Sequence, residues 1–404
     1  MFTIVGKYNT ATVMTQYGVD DATYAQILEM CNMEALQHER IVIMPDCHAG
    51  AGCTIGTTMT ISNAVVPNCV GVDIGCGVLA LLLDHLSEPL DFAKLDQVIR
   101  THVPSGFQIR NTDAVLATPE DDALLQSLYC KDHVDLDRAL YSLGTLGGGN
   151  HFIEVGQGDS GISVLFIHTG SRYLGKQVAE YYQDMAYQDC KKSNLSQEIE
   201  ALKQQGRERE IESYIATHKR KKISKETAYL SGEHMAQYLH DMSICQRYAA
   251  RNRAYIAQVI CEGMNWRSHD RIDTIHNYID MPQREEPVLR KGAVSAKPFE
   301  RFFCPMNMRD GTLFCIGKGN KHWNQSAPHG AGRIMSRSEA KAKVTMQEFT
   351  ASMTGIYTTS VCEGTIDESP MAYKPMEAIT SVLEDTAEIV AVVKPVYNFK
   401  ASDA

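Results

Sequence analysis

Apolar residues recur at helical spacing over residues 22–37 (DATYAQILEMCNMEAL), which predicts a helix there. The pattern then changes. In IVIMPDCHAGAGCTIGTTMTISNAVVPNCVGVDIGCGVLALLL, short apolar runs rich in β-branched residues alternate with glycine-bearing turns. That alternation predicts several strands joined by tight loops. Residues 90–142 are mixed, with helical spacing near 91–101 and 120–143. GTLGGGNHFIEVG predicts a glycine-rich loop entering a strand, and ISVLFIHTGSR predicts an apolar strand ending at His168. From about 173 to 265 the spacing is mainly helical, including a long run through GEHMAQYLHDMSICQRYAARNRAYIAQVI. Strands and loops return from 272 to about 335. Helices are expected near 337–351 and 375–389, and IVAVVKPVYNF predicts a final strand.

The helical block separates a strand-rich front from a strand-rich back. Pairing between the two gives one α+β domain with a helical insertion over 173–265. The alternative is two domains split near residue 200. Glycine-loop motifs on both sides of the block favour a single shared site.

Composition adds limits. The chain has 404 residues, 44% apolar and 22% charged, as expected of a globular protein. No basic segment leads into an apolar one at the N-terminus, and no run reaches the length of a membrane span. The twelve cysteines form no CxxC pair. Together these features predict a cytoplasmic protein with reduced thiols and no membrane partner. The net charge of −10 argues against a general nucleic-acid binder but allows a local basic site. The densest charges, KQQGRERE and THKRKK within 203–222, mix Glu208, Glu210 and Glu212 with lysines and arginines. They read as a solvated helix face, with contact to a phosphate backbone as the alternative.

Four clusters place metal-ligand side chains at the ends of apolar runs beside turns. VGVDIGCGV carries Asp73 and Cys76; GGGNHFIEV carries Asn150, His151 and Glu154; LFIHTGSR carries His168 and Arg172; DTIHNYI carries Asp273, His276 and Asn277. One Asp, one Cys and three His suit a transition metal such as Mn, Zn or Co, and do not suit Mg or Ca. One thiolate could bridge two metals at the spacing of phosphoryl-transfer sites. Glycine loops add backbone N–H groups that cradle phosphates. A fifth segment, SAPHGAGRIMSR, surrounds His329 with glycines and supplies Arg333 and Arg337.

These motifs carry a resemblance. MPDCHAGAGCTIG, GVDIGCG, GTLGGGNHFIEV, HTGSR, HNY, RKGAVSA, HGAGR and PMAYK stand in the order seen in the RtcB family of GTP-dependent RNA ligases. The resemblance runs from about residue 40 to the C-terminus. It implies a single large α+β domain, residues 1–404, with mixed β-sheets around a central metal site. It implies a ligase that joins RNA 3′-phosphate or 2′,3′-cyclic phosphate ends to 5′-hydroxyl ends, in RNA repair or splicing. His329 would take GMP from GTP. Asp73, Cys76, His151, His168 and His276 would hold two Mn²⁺, with Cys76 bridging. Asp46 would orient the nucleophile, with Asn150 and Arg172 near the reacting phosphates and Arg333 counted among the catalytic residues. Asn150, Glu154, Asn277, Thr312, Tyr373 and Lys400 would form the guanylate pocket. Arg172, Arg333 and Arg337 would bind RNA phosphate. The implied partners are RNA with broken ends and GTP, with an archease-like activator as a candidate.

The chain also departs from the family. PMNMRDGT puts Met306 and Asn307 where Gly and Ser are common, Lys400 is followed by Ala401 where Gly is usual, and NQSAP before HGAGR is unusual. Two rival readings follow from the same residues. One is a metal-dependent RNA 3′-end phosphodiesterase, which would need Cys76 and the histidine ligands but not His329. The other is a non-catalytic RNA-binding subunit.

Overall fold

A computed structural model describes residues 1–84, 89–112, 115–159, 161–217 and 224–401. Two large sheets organise them. The first has six strands in the order Phe2–Val5, Thr10–Val13, Ile41–His48, Ile55–Thr60, Val288–Lys291, Asn277–Asp280. The second has seven, in the order Ser268–Ile275, Gly77–Leu83, Ser163–Thr169, Phe152–Gly158, Ala387–Phe399, Gly311–Gly317, Arg301–Asn307. Each sheet therefore joins strands from both sides of the helical block. The seven-stranded sheet is antiparallel throughout.

Strand alternation explains how this sheet is covered on both faces. In Gly77–Leu83 (GVLALLL), Leu79, Leu81 and Leu83 face a core shared with Leu95, Ile99, Ile256 and Ile260 of two helices. Val78 and Ala80 face the opposite way, into a cluster with Phe166, Phe303 and Val393. The rings of Phe166 and Phe303 meet there at 5.0 Å.

The helical block contains two 33-residue helices, Arg172–Gln204 and Gly232–Met264, with the short helix Ile211–Thr217 between them. The second is built into the core. Its buried positions include Tyr238, Met242, Cys245, Ala249, Asn252, Ile256 and Ile260, and their spacing of three or four marks one face of a helix. Arg207 and Glu210 form an exposed ion pair in the charged segment, while residues 218–222 of that segment lie outside the described residues. Among the described residues, no helix is long and apolar enough to cross a membrane.

Several elements are shorter than the apolar pattern suggests. The first helix, Asp21–Cys31, is capped by Asp20, whose carboxylate accepts from Thr23 N. The stretch 120–143 holds two helices, Pro119–Gln126 and Leu136–Ser142. Between them the Tyr129 and Cys130 amides donate to the buried Asp241 carboxylate, a distant partner that draws them out of a helix. The stretch 337–351 divides into Arg337–Lys343 and Met346–Ser352 because Thr345 and Glu348 form a capping box. The helix expected over 375–389 ends at Leu383, and the last strand already begins at Ala387. The N-terminal strands Phe2–Val5 and Thr10–Val13 were too short to stand out in the pattern.

Candidate active site

The metal-ligand residues converge because four strands of the seven-stranded sheet end, or begin, at one level. Gly77 pairs with Ile275, Val78 with His168, and Phe152 with His168 on the other side. Cys76, His276, His168 and His151 thus sit at one end of four neighbouring strands. Their ligand atoms form two overlapping groups, Cys76–His168–His276 and Asp73–Cys76–His151, each within 4.8 Å. Cys76 belongs to both. Its Sγ lies 3.4 Å from His168 Nε2 and 3.5 Å from His151 Nε2.

The protonation chemistry fits a cation. His151 Nδ1 donates to Leu146 O at 2.9 Å and His168 Nδ1 to Asn150 O at 3.2 Å, which leaves each Nε2 lone pair facing the cluster. Burial pushes His168 and His276 well below the usual imidazole range, so both are neutral. Burial pushes the Cys76 thiol up, and a bound cation would favour its thiolate instead. Burial also pushes Asp73 up, but its neighbours, His151 and the Arg172 guanidinium among them, hold it below its ordinary value.

The Gly232–Met264 helix braces these loops from behind. The Arg253 side chain is fully buried, pairs with Asp273 at 2.7 Å, and donates to the carbonyls of Gly75 and Thr169. Asp273 is therefore a partner of Arg253 and lies outside both ligand groups. Asn252 accepts from Gly144 N and Thr145 N and donates to Gly170 O. The apolar pattern marked this helix but not these two residues. Buried polar side chains in an amphipathic run are the signal that was available.

His329 joins the cluster from outside the seven-stranded sheet, directly after the short strand Ser326–Pro328, which pairs with Ala293–Ser295. Its ring centroid lies 4.7 Å from that of His276. Its Nδ1 donates to Asp46 Oδ2 at 2.6 Å, and its backbone N donates to the same oxygen at 3.0 Å. Asp46 is fully buried. With Nδ1 protonated, Nε2 keeps its lone pair. The second glycine of HGAGR explains the close approach. Gly332 has φ +72°, and a Cβ there would overlap the Asp46 carbonyl.

Arg333 and Arg337 meet an acid that sequence reasoning missed, Glu368. Arg333 reaches Glu368 at 3.2 Å and donates to Asp367 O and Met335 O. Arg337 reaches Asp367 and Glu368, each at 2.6 Å. The Tyr373 hydroxyl and Lys400 Nζ also donate to Glu368. Burial pushes this carboxyl up, but Lys400, Arg337 and Arg333 pull harder and bring it to about 2. Glu368 lies in IDESPMAYK, five residues before Tyr373, with no pattern of its own to announce it.

All of this borders one cavity of about 920 Å³. Asp73, Cys76, Asn150, Glu154, His168, His276, Asn277, His329, Arg333, Arg337, Tyr373 and Lys400 line it, together with Met306 and Asn307. Four expected residues do not: Asp46 and His151 stand behind His329 and Asp73, which they contact, and Arg172 and Thr312 are also set back from it. Arg172 lies beneath the loop, its guanidinium against the Gly147 backbone, His151 Nδ1 and the Thr145 hydroxyl. Thr312 pairs with Val393, five residues along the last strand from the Asn398 that pairs with Glu154. On its other side Thr312 pairs with Pro305, which lines the cavity, so it stands immediately beside the wall with its hydroxyl buried and without a hydrogen-bond partner among the described residues. The hairpin register places Thr312 there, and linear distance from HGAGR could not reveal it.

The comparisons agree with this arrangement. A family model described as tRNA-splicing ligase RtcB matches residues 26–401. The RNA-splicing ligase RtcB of Escherichia coli K12 is 30% identical over 395 residues, covering 90% of each chain. The tRNA-splicing ligase RtcB of Aeropyrum pernix is 28% identical over 463 residues, covering 93% of this chain and 91% of its own. An RNA-splicing ligase RtcB2 from another Escherichia coli strain is 24% identical over 415 residues, 95% of this chain and 93% of its own. With the ligand cluster, the buried Asp46–His329 pair and a match across most of its length, the chain belongs to the RtcB family.

Proposed function

We propose that the protein is an RNA ligase that joins a 3′-phosphate or 2′,3′-cyclic phosphate end to a 5′-hydroxyl end, with GTP as cosubstrate and Mn²⁺ as metal. The observation that carries this reading is His329. Its Nδ1 is held by a buried carboxylate at 2.6 Å, and its ring stands 4.7 Å from a metal-ligand histidine. A structural histidine would not need that pairing at the mouth of a ligand cluster.

In the proposed sequence, His329 Nε2 attacks the α-phosphorus of GTP, and the bond to pyrophosphate breaks. Asp46 keeps the proton on Nδ1 and offsets the positive charge that grows on the ring. An oxygen of the RNA 3′-phosphate then attacks the same phosphorus and releases His329, leaving GMP on the RNA end. The 5′-hydroxyl attacks the RNA phosphorus, and GMP departs. A cyclic phosphate is first opened by water. Cys76 with His168 and His276, and Cys76 with Asp73 and His151, would hold two Mn²⁺, which when bound orient reacting oxygens and offset developing phosphate charge. Asn150, Asn277, Tyr373 and Lys400 position the nucleotide, and Arg333 and Arg337 receive RNA phosphate in exchange for Glu368 and Asp367.

The test is incubation with α-labelled GTP and Mn²⁺ followed by denaturing electrophoresis. The unmutated chain acquires an acid-labile label, and His329→Ala loses it with metal content unchanged. Label persisting on His329→Ala would put the nucleophile elsewhere. RNA cleavage without any label on the unmutated chain would favour the phosphodiesterase reading.

A further inference from the structure

The cavity wall that continues the ligand-bearing sheet has an unusual polar patch. Glu154 and Asn398 are direct cross-strand partners on neighbouring strands. Both are buried, and both line the cavity. Asn398 Nδ2 donates to Glu154 Oε2 at 2.8 Å. Glu154 Oε1 and Asn398 Oδ1 have no hydrogen-bond partner among the described residues. Buried polar atoms are rarely left this way, and two side by side on a cavity wall call for a ligand. The sequence reading gave Asn398 no role.

The strand alternation fixes what lies next to them. Phe152 and Glu154 share one face of their strand, and Asn398 and Lys400 share the same face of its neighbour. Lys400 Nζ sits 5.6 Å from the Phe152 ring, and Phe152 in turn pairs with His168 of the metal cluster. Glu154 and Asn398 are thus two residues, about 7 Å, further from the metals than Phe152 and Lys400. That offset suits a nucleotide with its phosphates at the cluster and its base on the polar pair.

We infer that Asn398 is a specificity-determining residue that reads the exocyclic amino group of guanine beside Glu154. The inference rests on the proposed use of GTP. Its chemistry is that of the free atoms. Two adjacent acceptors ask for a base edge with adjacent donors. Guanine offers N1–H and N2–H₂ on one edge. Glu154 Oε1 takes one donor, and Asn398 Oδ1 takes an N2–H. Hypoxanthine keeps N1–H but has no amino group, so it leaves Asn398 Oδ1 unpaired. Adenine presents a lone pair at N1. The amide orientation follows from the bond to Glu154: Asn398 Nδ2 is the atom that donates to Oε2, and this turns Asn398 Oδ1 outward.

The experiment is isothermal titration of the Mn²⁺-loaded protein with GTP and with ITP, which differ only in that amino group. The unmutated chain is expected to favour GTP over ITP by roughly tenfold or more, the effect of one unpaired buried acceptor. Asn398→Val and Asn398→Ser are expected to bring the ratio close to one, chiefly by weakening GTP. Asn398→Val suits a strand and keeps the backbone bond from Asn398 N to Tyr357 O. A wild-type ratio retained in both variants, or parallel losses of GTP and ITP, would overturn the role of Asn398 while leaving GTP use intact. Failure of the unmutated chain to bind GTP would overturn both readings.

Discussion

At the scale of single residues, the site is a set of imidazoles and carboxylates whose protons are placed by their neighbours. Asp46 is the clearest case, since it has no other visible task than His329. Asp46→Asn keeps the shape but removes the charge that fixes the tautomer. Covalent labelling by GTP should slow by roughly tenfold to hundredfold, the value of a charge-assisted bond, with Mn²⁺ content unchanged. An unaltered labelling rate would show that Asp46 does not orient the nucleophile. Glu154 leads to a pH dependence. Burial pushes its carboxyl up to about 8, against the downward pull of Asn398 and Lys400. Guanine donors require the ionised form, which is scarce below that value and full above it. GTP affinity should therefore climb by about tenfold per pH unit on approaching that value from below, and level off beyond it. Glu154→Gln should bind more weakly with a flat profile. Titrations across that range that show no slope in the unmutated chain would separate Glu154 from the base.

At the scale of elements, the helix Gly232–Met264 does more than fill space. Arg253 ties together the loop before Cys76, the end of the His168 strand, and Asp273 on the strand that leads to His276. Three of the segments that carry ligands share one guanidinium. Replacing Arg253 by Met would leave Asp273 and two carbonyls without it. The expected cost is about 3 kcal/mol in unfolding free energy, with weaker Mn²⁺ binding, since the ligands lose their brace. Urea unfolding and a Mn²⁺ titration would measure both. Arg253→Met with native stability and native metal affinity would refute the bracing role. The helix itself was legible from its apolar spacing. Its buried Asp241, Asn252 and Arg253 were not, because their partners lie over one hundred residues away in the chain or on distant loops.

At the scale of the whole molecule, a body of net charge −10 has to accept RNA. The cavity arginines are already paired with Glu368 and Asp367. Few phosphates can therefore be bound by free cations. Dependence of RNA affinity on salt should be shallow, with a log–log slope of about −1.4 for two single-strand phosphates at about 0.7 each. Fluorescence anisotropy at several salt concentrations measures it. A slope several times steeper would reveal a larger basic surface elsewhere, with the charged segment 203–222 as the first place to look.

Much of this protein was written in its linear order. Strand and helix periodicity located most elements, because alternation of apolar side chains follows directly from backbone geometry. The ligand types, and the histidine set among glycines, were readable because their chemistry is intrinsic to the residues. Tertiary structure decided which of them meet. Strand register aligned Cys76, His151, His168 and His276 at one end of a sheet. The same register set Thr312 beside Pro305 of the cavity wall and put Asn398 opposite Glu154. Packing buried Arg172 beneath its loop and brought Glu368 to the arginines. These are contacts between residues far apart in the chain, and pairing register is set by the whole sheet, not by the local sequence around any one of them.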